Sequence, residues 1–120
     1  MIVELSSTVR FEAAHHLPTM PDDHKCRRLH GHSYYIDIVV RGLVDPSTGM
    51  FIDYAAIAAA WAPLHDALDH RLLNEIKGLE IPTSEILAQW IWDRLILELD
   101  GLVRIAVRET CTDQCVYEGE

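Results

Sequence analysis

Apolar and polar residues alternate along two long stretches of the chain. In residues 2–17 the apolar side chains fall mainly on odd positions, and the even positions carry mostly charged or hydroxyl side chains. Residues 30–44 follow the same period of two, which is typical of a β-strand with one buried face. Residues 18–29 contain two prolines and a run of charges, so we predict two long strands joined by a loop.

A three- to four-residue period replaces the alternation in the middle of the chain. Asp53 is placed as an N-cap before an Ala-rich helix that runs to about Leu68, and Pro63 is expected to kink or interrupt that helix. A second helix opens at Pro82 and Thr83, and its apolar residues recur at helical spacing until glycine 101 ends it.

The end of the chain returns to strand patterning. Residues 103–109 alternate again, and residues 115–118 form a short further strand. The order is therefore strand, strand, helix, helix, strand, strand. This order predicts an α+β fold with a four-stranded antiparallel sheet, two helices inserted between strands 2 and 3, and a single domain over residues 1–120.

Composition and charge narrow the possible functions. A 49% hydrophobic fraction excludes a disordered chain, and the formal net charge of -9 argues against a nucleic-acid partner. No stretch is long and apolar enough for a membrane span, and the start of the chain lacks the pattern of a secretory signal. Three cysteines are an odd number without a disulfide pattern, which predicts a reducing compartment, the cytoplasm by default.

Three histidines share the apolar face of the two predicted strands. His30 and His32 are two residues apart on one strand, and His15 has the apolar parity of the other. Antiparallel pairing brings these imidazoles to one end of the sheet, where three neutral nitrogens suit zinc and leave a fourth position open. The alternative is three separate histidines. His16 has the polar parity and should point away from this cluster.

The predicted loop carries a cysteine among cations. Cys26 is read either as a fourth ligand of a structural zinc site or as a reactive thiolate favoured by its cationic neighbours. Lys25, Arg27 and Arg28 would clamp a phosphorylated substrate beside a metal, or would simply be solvated. The reactive cysteine is the favoured interpretation.

Two further acidic positions invite a chemical role. Asp69 precedes His70, and either its carboxylate sets the tautomer of the imidazole and makes it a general acid or base, or both side chains are simply exposed at the surface. Glu109 ends an apolar strand face, where it would bind paired N–H groups of a heterocycle or remain exposed. Cys111 and Cys115 are expected to be ordinary thiols rather than a metal pair, and His65 is expected to be a surface residue.

Taken together, these segments resemble the 6-pyruvoyltetrahydropterin synthase family over essentially the whole chain. Within that family the resemblance is strongest to the bacterial branch that makes 6-carboxytetrahydropterin for queuosine biosynthesis. The matching segments are Phe11-Glu12-Ala13-Ala14-His15, Cys26-Arg27-Arg28-Leu29-His30-Gly31-His32, Leu68-Asp69-His70, Pro82-Thr83-Ser84-Glu85 and Glu109-Thr110-Cys111-Thr112, with Tyr117-Glu118-Gly119-Glu120 at the end.

The resemblance implies a role for each matching residue. The zinc ligands would be His15, His30 and His32; the catalytic groups Cys26, Asp69 and His70; and the pterin contacts Glu109, Thr83, Ser84 and Glu85. It also implies the tunnelling fold, in which sheets of neighbouring subunits join into barrels that stack as homohexamers. The sites would then lie at subunit interfaces.

The implied activity is a zinc-dependent lyase reaction. It would convert 7,8-dihydroneopterin triphosphate to 6-carboxytetrahydropterin and release triphosphate and acetaldehyde. The alternatives are a 6-pyruvoyltetrahydropterin synthase, which eliminates triphosphate only, and a non-catalytic zinc-stabilised binding module. Zinc is the only cofactor expected, because the chain has no Gly-x-Gly-x-x-Gly nucleotide fingerprint.

Overall fold

The computed structural model describes all of residues 1–120 and contains five strands and two α-helices. The elements are β1 (Ile2–His15), β2 (His30–Leu43), α1 (Tyr54–Leu68), β3 (Arg71–Leu72), α2 (Ser84–Leu95), β4 (Leu102–Arg108) and β5 (Cys115–Tyr117). Short 3-10 turns occupy Lys25–Arg27 and Leu73–Glu75.

One sheet contains all five strands in the order β3-β1-β2-β4-β5. The pairs β1–β2, β2–β4 and β4–β5 are antiparallel, which confirms the α+β class and the predicted antiparallel arrangement. The strands β1 and β2 pair along fourteen residues each, from Ile2↔Leu43 at one end to His15↔His30 at the other. This long hairpin explains the elongated shape, 58 × 24 × 24 Å.

The structure adds one strand to the four predicted from sequence. The strand β3 is only two residues long and runs parallel to β1, with Ala13↔Arg71 and Ala14↔Leu72 as partners. Two residues are too few to show any period, so sequence patterning could not reveal it. The sheet is therefore mixed, and β3 attaches the segment after α1 to the edge of β1.

Helix boundaries differ modestly from the sequence prediction. The helix α1 begins after Asp53, whose carboxylate accepts from the Ala55 N–H at 2.8 Å, and continues through Pro63 without interruption. The helix α2 begins after Thr83, whose hydroxyl accepts from the Ile86 N–H. The helix α2 ends at residue 95 and not at glycine 101 as predicted, and hydrogen-bonded turns follow it over residues 95–99.

The two helices cover one face of the sheet and enclose the core. Alternate residues of β1 and β2 point into this core, as the period of two predicts. The opposite face of the sheet is polar. The core contains Phe11, Tyr34, Ile36 and Ile38 from the strands, Ile57, Trp61, Leu64 and Leu68 from α1, and Leu87, Ile91 and Leu95 from α2.

A charged cluster lies on the polar face near the middle of β2. Asp37 accepts hydrogen bonds from the Arg108 guanidinium and, at 2.7 Å, from the Thr8 hydroxyl. Burial by itself raises the pKa of Asp37, but these hydrogen bonds, together with the charges of Arg108 and Arg104, outweigh it and hold that pKa below its ordinary value.

Neither helix has the length and hydrophobicity that crossing a lipid bilayer requires.

Candidate metal centre and active site

Three histidines meet where the β1–β2 hairpin ends on the core side. His15 and His30 are register partners, and His32 lies opposite Ala13, so all three side chains leave the same face. One ring nitrogen from each lies within 4.8 Å of the others. The convergence predicted from strand parity is present in the structure. His16, predicted to point away, is not part of this group.

Backbone carbonyls fix the orientation of two of these rings. The Nδ1–H of His15 donates to the Pro82 carbonyl at 2.8 Å, and the Nδ1–H of His30 donates to the Arg28 carbonyl at 2.7 Å. A carbonyl can only accept, so Nδ1 carries a proton in both rings, and in a neutral ring of this tautomer Nε2 keeps its lone pair. Such second-shell contacts are typical of histidines that bind metal.

The two Nε2 atoms lie 3.0 Å apart. Two lone pairs at this distance repel each other unless a proton or a metal cation lies between them. Burial lowers the pKa of His15, and also that of His32, where the charge of Glu109 only partly opposes it. A third neutral imidazole completes a donor set that fits a metal ion with nitrogen ligands.

A glutamate that directly follows β4 borders the histidine group. The Oε2 atom of Glu109 lies 3.7 Å from the Nε2 atom of His32, and its Oε1 atom accepts from the Ser84 hydroxyl at 2.9 Å. Glu109 also lines two open cavities of about 660 and 370 Å³, and the smaller of these is lined by Ser84 and Glu85. A carboxylate held by a serine hydroxyl beside a cavity can accept N–H groups from a bound ring.

Asp69 and His70 form the predicted pair at the edge of the sheet. The Nδ1–H of His70 donates to Asp69 Oδ2 at 2.8 Å, and the other oxygen of Asp69 accepts from the Glu12 N–H at 2.9 Å. The hydrogen bond from Glu12 and that from His70 hold the pKa of Asp69 below its ordinary value. His70 therefore presents a free Nε2 atom, the atom that a general acid or base uses.

The backbone of His70 is unusual. Its φ is 59°, in the left-handed region, and its N–H donates to the Glu12 carbonyl at 2.6 Å. The side chain is 78% exposed and borders a cavity of about 560 Å³ with residues of β1 and β2. His70 shares this cavity with His32, and no hydrogen bond or ion pair joins it to Cys26 or to the three histidines.

Cys26 lies in the 3-10 turn between β1 and β2. It is half-buried and free, and it does not belong to the group that could hold a metal. Its N–H donates to His24 Nδ1 at 3.0 Å, a contact that sequence reasoning did not anticipate because a histidine cap has no spacing signature. Because Cys26 lies outside the histidine group, the structure counts against its interpretation as a fourth ligand.

The three cations around Cys26 differ in their contacts. Lys25 and Arg28 are exposed, and their side chains make no hydrogen bond or ion pair. Arg27 instead donates to two carbonyls of its own loop. The Thr83 hydroxyl is the N-cap of α2 and accepts from the Ile86 N–H, so this side chain helps to fix the start of the helix.

The remaining candidates are His65, Cys111 and Cys115. His65 is less free than predicted, because its Nε2 atom lies 3.8 Å from Asp69 Oδ2. Cys111 is exposed. Burial, with a smaller contribution from the charge of Glu85, raises the pKa of the Cys115 thiol. A raised pKa makes that thiol less reactive, which agrees with the interpretation of these cysteines as ordinary thiols.

Comparison with known proteins places this site in a family. Residues 4–120 match the family model described as 6-pyruvoyl tetrahydropterin synthase. The chain belongs to that family. It is 42% identical to the 6-carboxy-5,6,7,8-tetrahydropterin synthase of Synechocystis sp., with 89% of this chain and 86% of that protein covered. It is 32% identical to the protein of the same name from Bacillus subtilis, over 95% and 84% of the two chains. The chain is therefore an enzyme, a lyase of this family.

Family members that are named for the pyruvoyl product are also similar to this chain. The human 6-pyruvoyl tetrahydrobiopterin synthase is 30% identical, over 98% of this chain and 92% of that protein. The solved structure of the 6-pyruvoyl tetrahydropterin synthase of Caenorhabditis elegans superposes with a TM-score of 0.91 at 28% identity, covering 100% and 97% of the two chains. The fold is thus that of the family throughout, including both helices and the strand arrangement.

Proposed function

We propose that this enzyme is a zinc-dependent 6-carboxytetrahydropterin synthase. Its substrate would be 7,8-dihydroneopterin triphosphate, and its products 6-carboxy-5,6,7,8-tetrahydropterin, triphosphate and acetaldehyde, in the pathway to queuosine. The observation that carries the proposal is the convergence of His15, His30 and His32 on one point beside Glu109. The names of the Synechocystis and Bacillus relatives support the carboxy product over the pyruvoyl one.

Zinc suits the site because three neutral imidazole nitrogens leave one position open for a substrate oxygen. Bound there, it would polarise the hydroxyl oxygens of the substrate side chain and acidify the adjacent C–H and O–H bonds. The chain's own residues orient the substrate and move protons. Glu109 would accept N–H groups of the pterin ring, and Thr83, Ser84 and Glu85 would hold the same end of the molecule.

Proton transfer would fall to two groups, Cys26 and His70. Cys26 as thiolate would remove a proton from the side chain. The Nε2 atom of His70, whose tautomer is fixed by Asp69, would return a proton and later remove another. Loss of triphosphate, internal redox rearrangement, addition of one water molecule and cleavage of one carbon–carbon bond leave the 6-carboxy group, and the water supplies the oxygen that completes the mass balance. Overall the reaction is redox-neutral, so no nicotinamide or flavin is needed.

No hydrogen bond or ion pair joins His70 to Cys26 within one chain, as expected if neighbouring subunits complete the site. We propose a homo-oligomer, a hexamer by analogy with the family, in which His70 of one subunit faces Cys26 of another. The exposed His70 side chain and the unpaired outer edges of β3 and β5 support such an assembly. The cytoplasmic location expected from the cysteine content remains a prediction.

A product assay tests the proposal. Purified zinc-loaded enzyme is mixed with 7,8-dihydroneopterin triphosphate, and acetaldehyde and 6-carboxytetrahydropterin are measured. Both products are expected from the wild type. Formation of a 6-pyruvoyl product without acetaldehyde would instead establish the pyruvoyl synthase, which the identity to the human protein keeps as the second candidate.

The non-catalytic module is separated from both enzymes by Cys26→Ala. We expect this variant to keep its fold and one zinc per chain but to lose turnover, with Cys111→Ala as the matched control. Joint loss of zinc and fold would make Cys26 a structural ligand and would contradict the catalytic role.

A further inference from the structure

The loop that carries Cys26 is tied together by one arginine. The Nη1 group of Arg27 donates to the carbonyl oxygens of Pro18 at 2.8 Å and Met20 at 2.7 Å. The Nε group of the same side chain lies 3.1 Å from the carboxylate of Asp22. Arg27 lies in the second half of the loop, and its guanidinium therefore contacts three residues of the first half.

The backbone of Cys26 is fixed on both of its polar sides. Its N–H donates to the His24 imidazole at 3.0 Å, and its carbonyl accepts from the Leu17 N–H at 2.8 Å. Leu17 comes directly before Pro18 in the sequence, so the bonds from Arg27 to Pro18 and from Leu17 to Cys26 hold the same stretch of chain against the Cys26 turn. A loop of this kind holds a thiol in place before any substrate arrives.

The neighbouring cations provide the contrast. Lys25 and Arg28 are exposed, and neither side chain makes a hydrogen bond or an ion pair. Arg27 has two carbonyls and a carboxylate as partners and would have to give them up to bind a phosphate. The planar guanidinium matches this set of acceptors, whereas the point charge of a lysine would not.

We propose that Arg27 is a positioning residue for Cys26 and not a ligand of the substrate's phosphates. This reassigns one of the three cations that the sequence places in a phosphate clamp and leaves that role to Lys25 and Arg28. The catalytic half of the inference rests on the proposed function, because it takes Cys26 to be a proton-transfer group. The structural half, the fixing of the Cys26 turn, does not.

The test compares Arg27→Gln, Arg27→Lys and Arg28→Gln in the full-length enzyme. Two measurements need no turnover: the rate at which iodoacetamide alkylates Cys26, read by peptide mass mapping, and tryptic cleavage after Lys25. Exposed Cys111 serves as the reference thiol in the same samples. Steady-state kinetics and inhibition by inorganic tripolyphosphate complete the set.

We expect Arg27→Gln to speed alkylation of Cys26 and cleavage after Lys25, with alkylation of Cys111 unchanged. It should lower kcat by about 10- to 100-fold and leave tripolyphosphate inhibition as in the wild type. Arg27→Lys should not restore kcat, because lysine keeps the positive charge but lacks the planar guanidinium that reaches several acceptors at once. Arg28→Gln should show the reverse pattern, weaker tripolyphosphate inhibition with normal alkylation of Cys26.

The opposite result overturns the proposal. If Arg27→Gln weakens tripolyphosphate inhibition, if Arg27→Lys restores full activity, or if alkylation of Cys26 does not change, Arg27 is not a positioning residue. Should Arg27→Gln fail to fold, Arg27→Lys with the alkylation and proteolysis measurements decides the matter. Absence of product from the wild type would contradict the proposed function instead, and the alkylation result would still stand.

Discussion

The Nε2 atoms of His15 and His30 face each other at 3.0 Å while both Nδ1 atoms donate to backbone carbonyls. Two lone pairs held this close are a preformed ligand pair, and the fold has fixed their direction before any ion binds. The buried position of His15, only 1% exposed, disfavours a proton as the bridging cation. A metal ion relieves the repulsion without placing an extra proton in a buried site.

Removing one ligand should therefore abolish tight metal binding. We expect His15→Ala to weaken zinc affinity by more than about 100-fold, since loss of an outer-shell partner alone costs about 10- to 100-fold. Zinc should raise the melting temperature of the wild type but not that of the variant. His16→Ala, one residue away and outside the ligand group, is the control and should bind zinc normally. Equal binding by both variants would exclude His15 as a ligand.

Subunit mixing tests whether the site is shared. The variants Cys26→Ala and His70→Ala should each be inactive alone. If a site takes Cys26 from one subunit and His70 from its neighbour, unfolding and refolding an equal mixture should restore about one site in four. The measurement is acetaldehyde release per chain. A mixture as inactive as its components would show that both residues serve a site within one chain.

A buried hydroxyl gives a prediction about stability. The Tyr34 side chain is fully buried and stacks on Phe11 at a ring distance of 4.9 Å, but its hydroxyl has no hydrogen-bond partner. Burial is also the main reason that its pKa is raised, with the charge of Glu109 adding to the effect.

Removing that hydroxyl should not harm the metal-free protein. An unsatisfied buried polar group costs about 1–3 kcal/mol, so Tyr34→Phe should leave the free energy of unfolding unchanged or raise it. Tyr34→Ala removes the stacked ring and should cost about 3–5 kcal/mol, as for other large buried aromatics. Urea denaturation of both variants measures the difference. A clearly destabilised Tyr34→Phe would mean that the hydroxyl has a partner in solution.

The pH dependence of stability should depend partly on Asp37. Its pKa is lower in the folded chain than the ordinary value of 3.8, so the carboxylate stabilises the fold at pH values above 3.8. That contribution is lost as the pH falls through the lower folded value. We expect Asp37→Asn to cost about 2 kcal/mol at pH 7, the range for hydrogen bonds to charged groups.

The wild type and Asp37→Asn should converge in stability towards pH 3. Urea unfolding of the metal-free proteins at several pH values gives the comparison, and exposed Asp100→Asn is the control that should follow the wild type throughout. A stability difference that stays constant down to pH 2 would assign the effect of the substitution to packing rather than to the charge.

The most successful sequence prediction, the placement of the histidines, rested on the alternation of side chains between the two faces of a strand. It placed His15, His30 and His32 on one face and His16 elsewhere, because a period of two leaves no freedom once the core face is known. Local patterning could not reveal contacts made across the fold. The Pro82 carbonyl that orients His15 comes from a distant loop, and β3 is too short to have a pattern.

The number of charges in the sequence could not predict the different contacts of the three cations near Cys26, for a related reason. Lys25, Arg27 and Arg28 are alike in sequence, and only the tertiary contacts separate the arginine with three partners from its free neighbours. His65 is a different case, because Asp69 lies four residues later, one helical turn away, and their contact is local. Residue type defines what chemistry is available, but the backbone around each residue decides whether its side chain is free to perform it.

The strand β1 carries two different parts of the site along one length of backbone. Glu12 anchors Asp69 and His70, and three residues later His15 belongs to the group that could hold a metal ion. An insertion or deletion between positions 12 and 15 would therefore shift the Asp69–His70 pair and the histidine group relative to each other, and no loop intervenes to absorb the change. We expect sequences that keep this chemistry to vary in length in the loop after β2, but to keep this spacing of three residues constant.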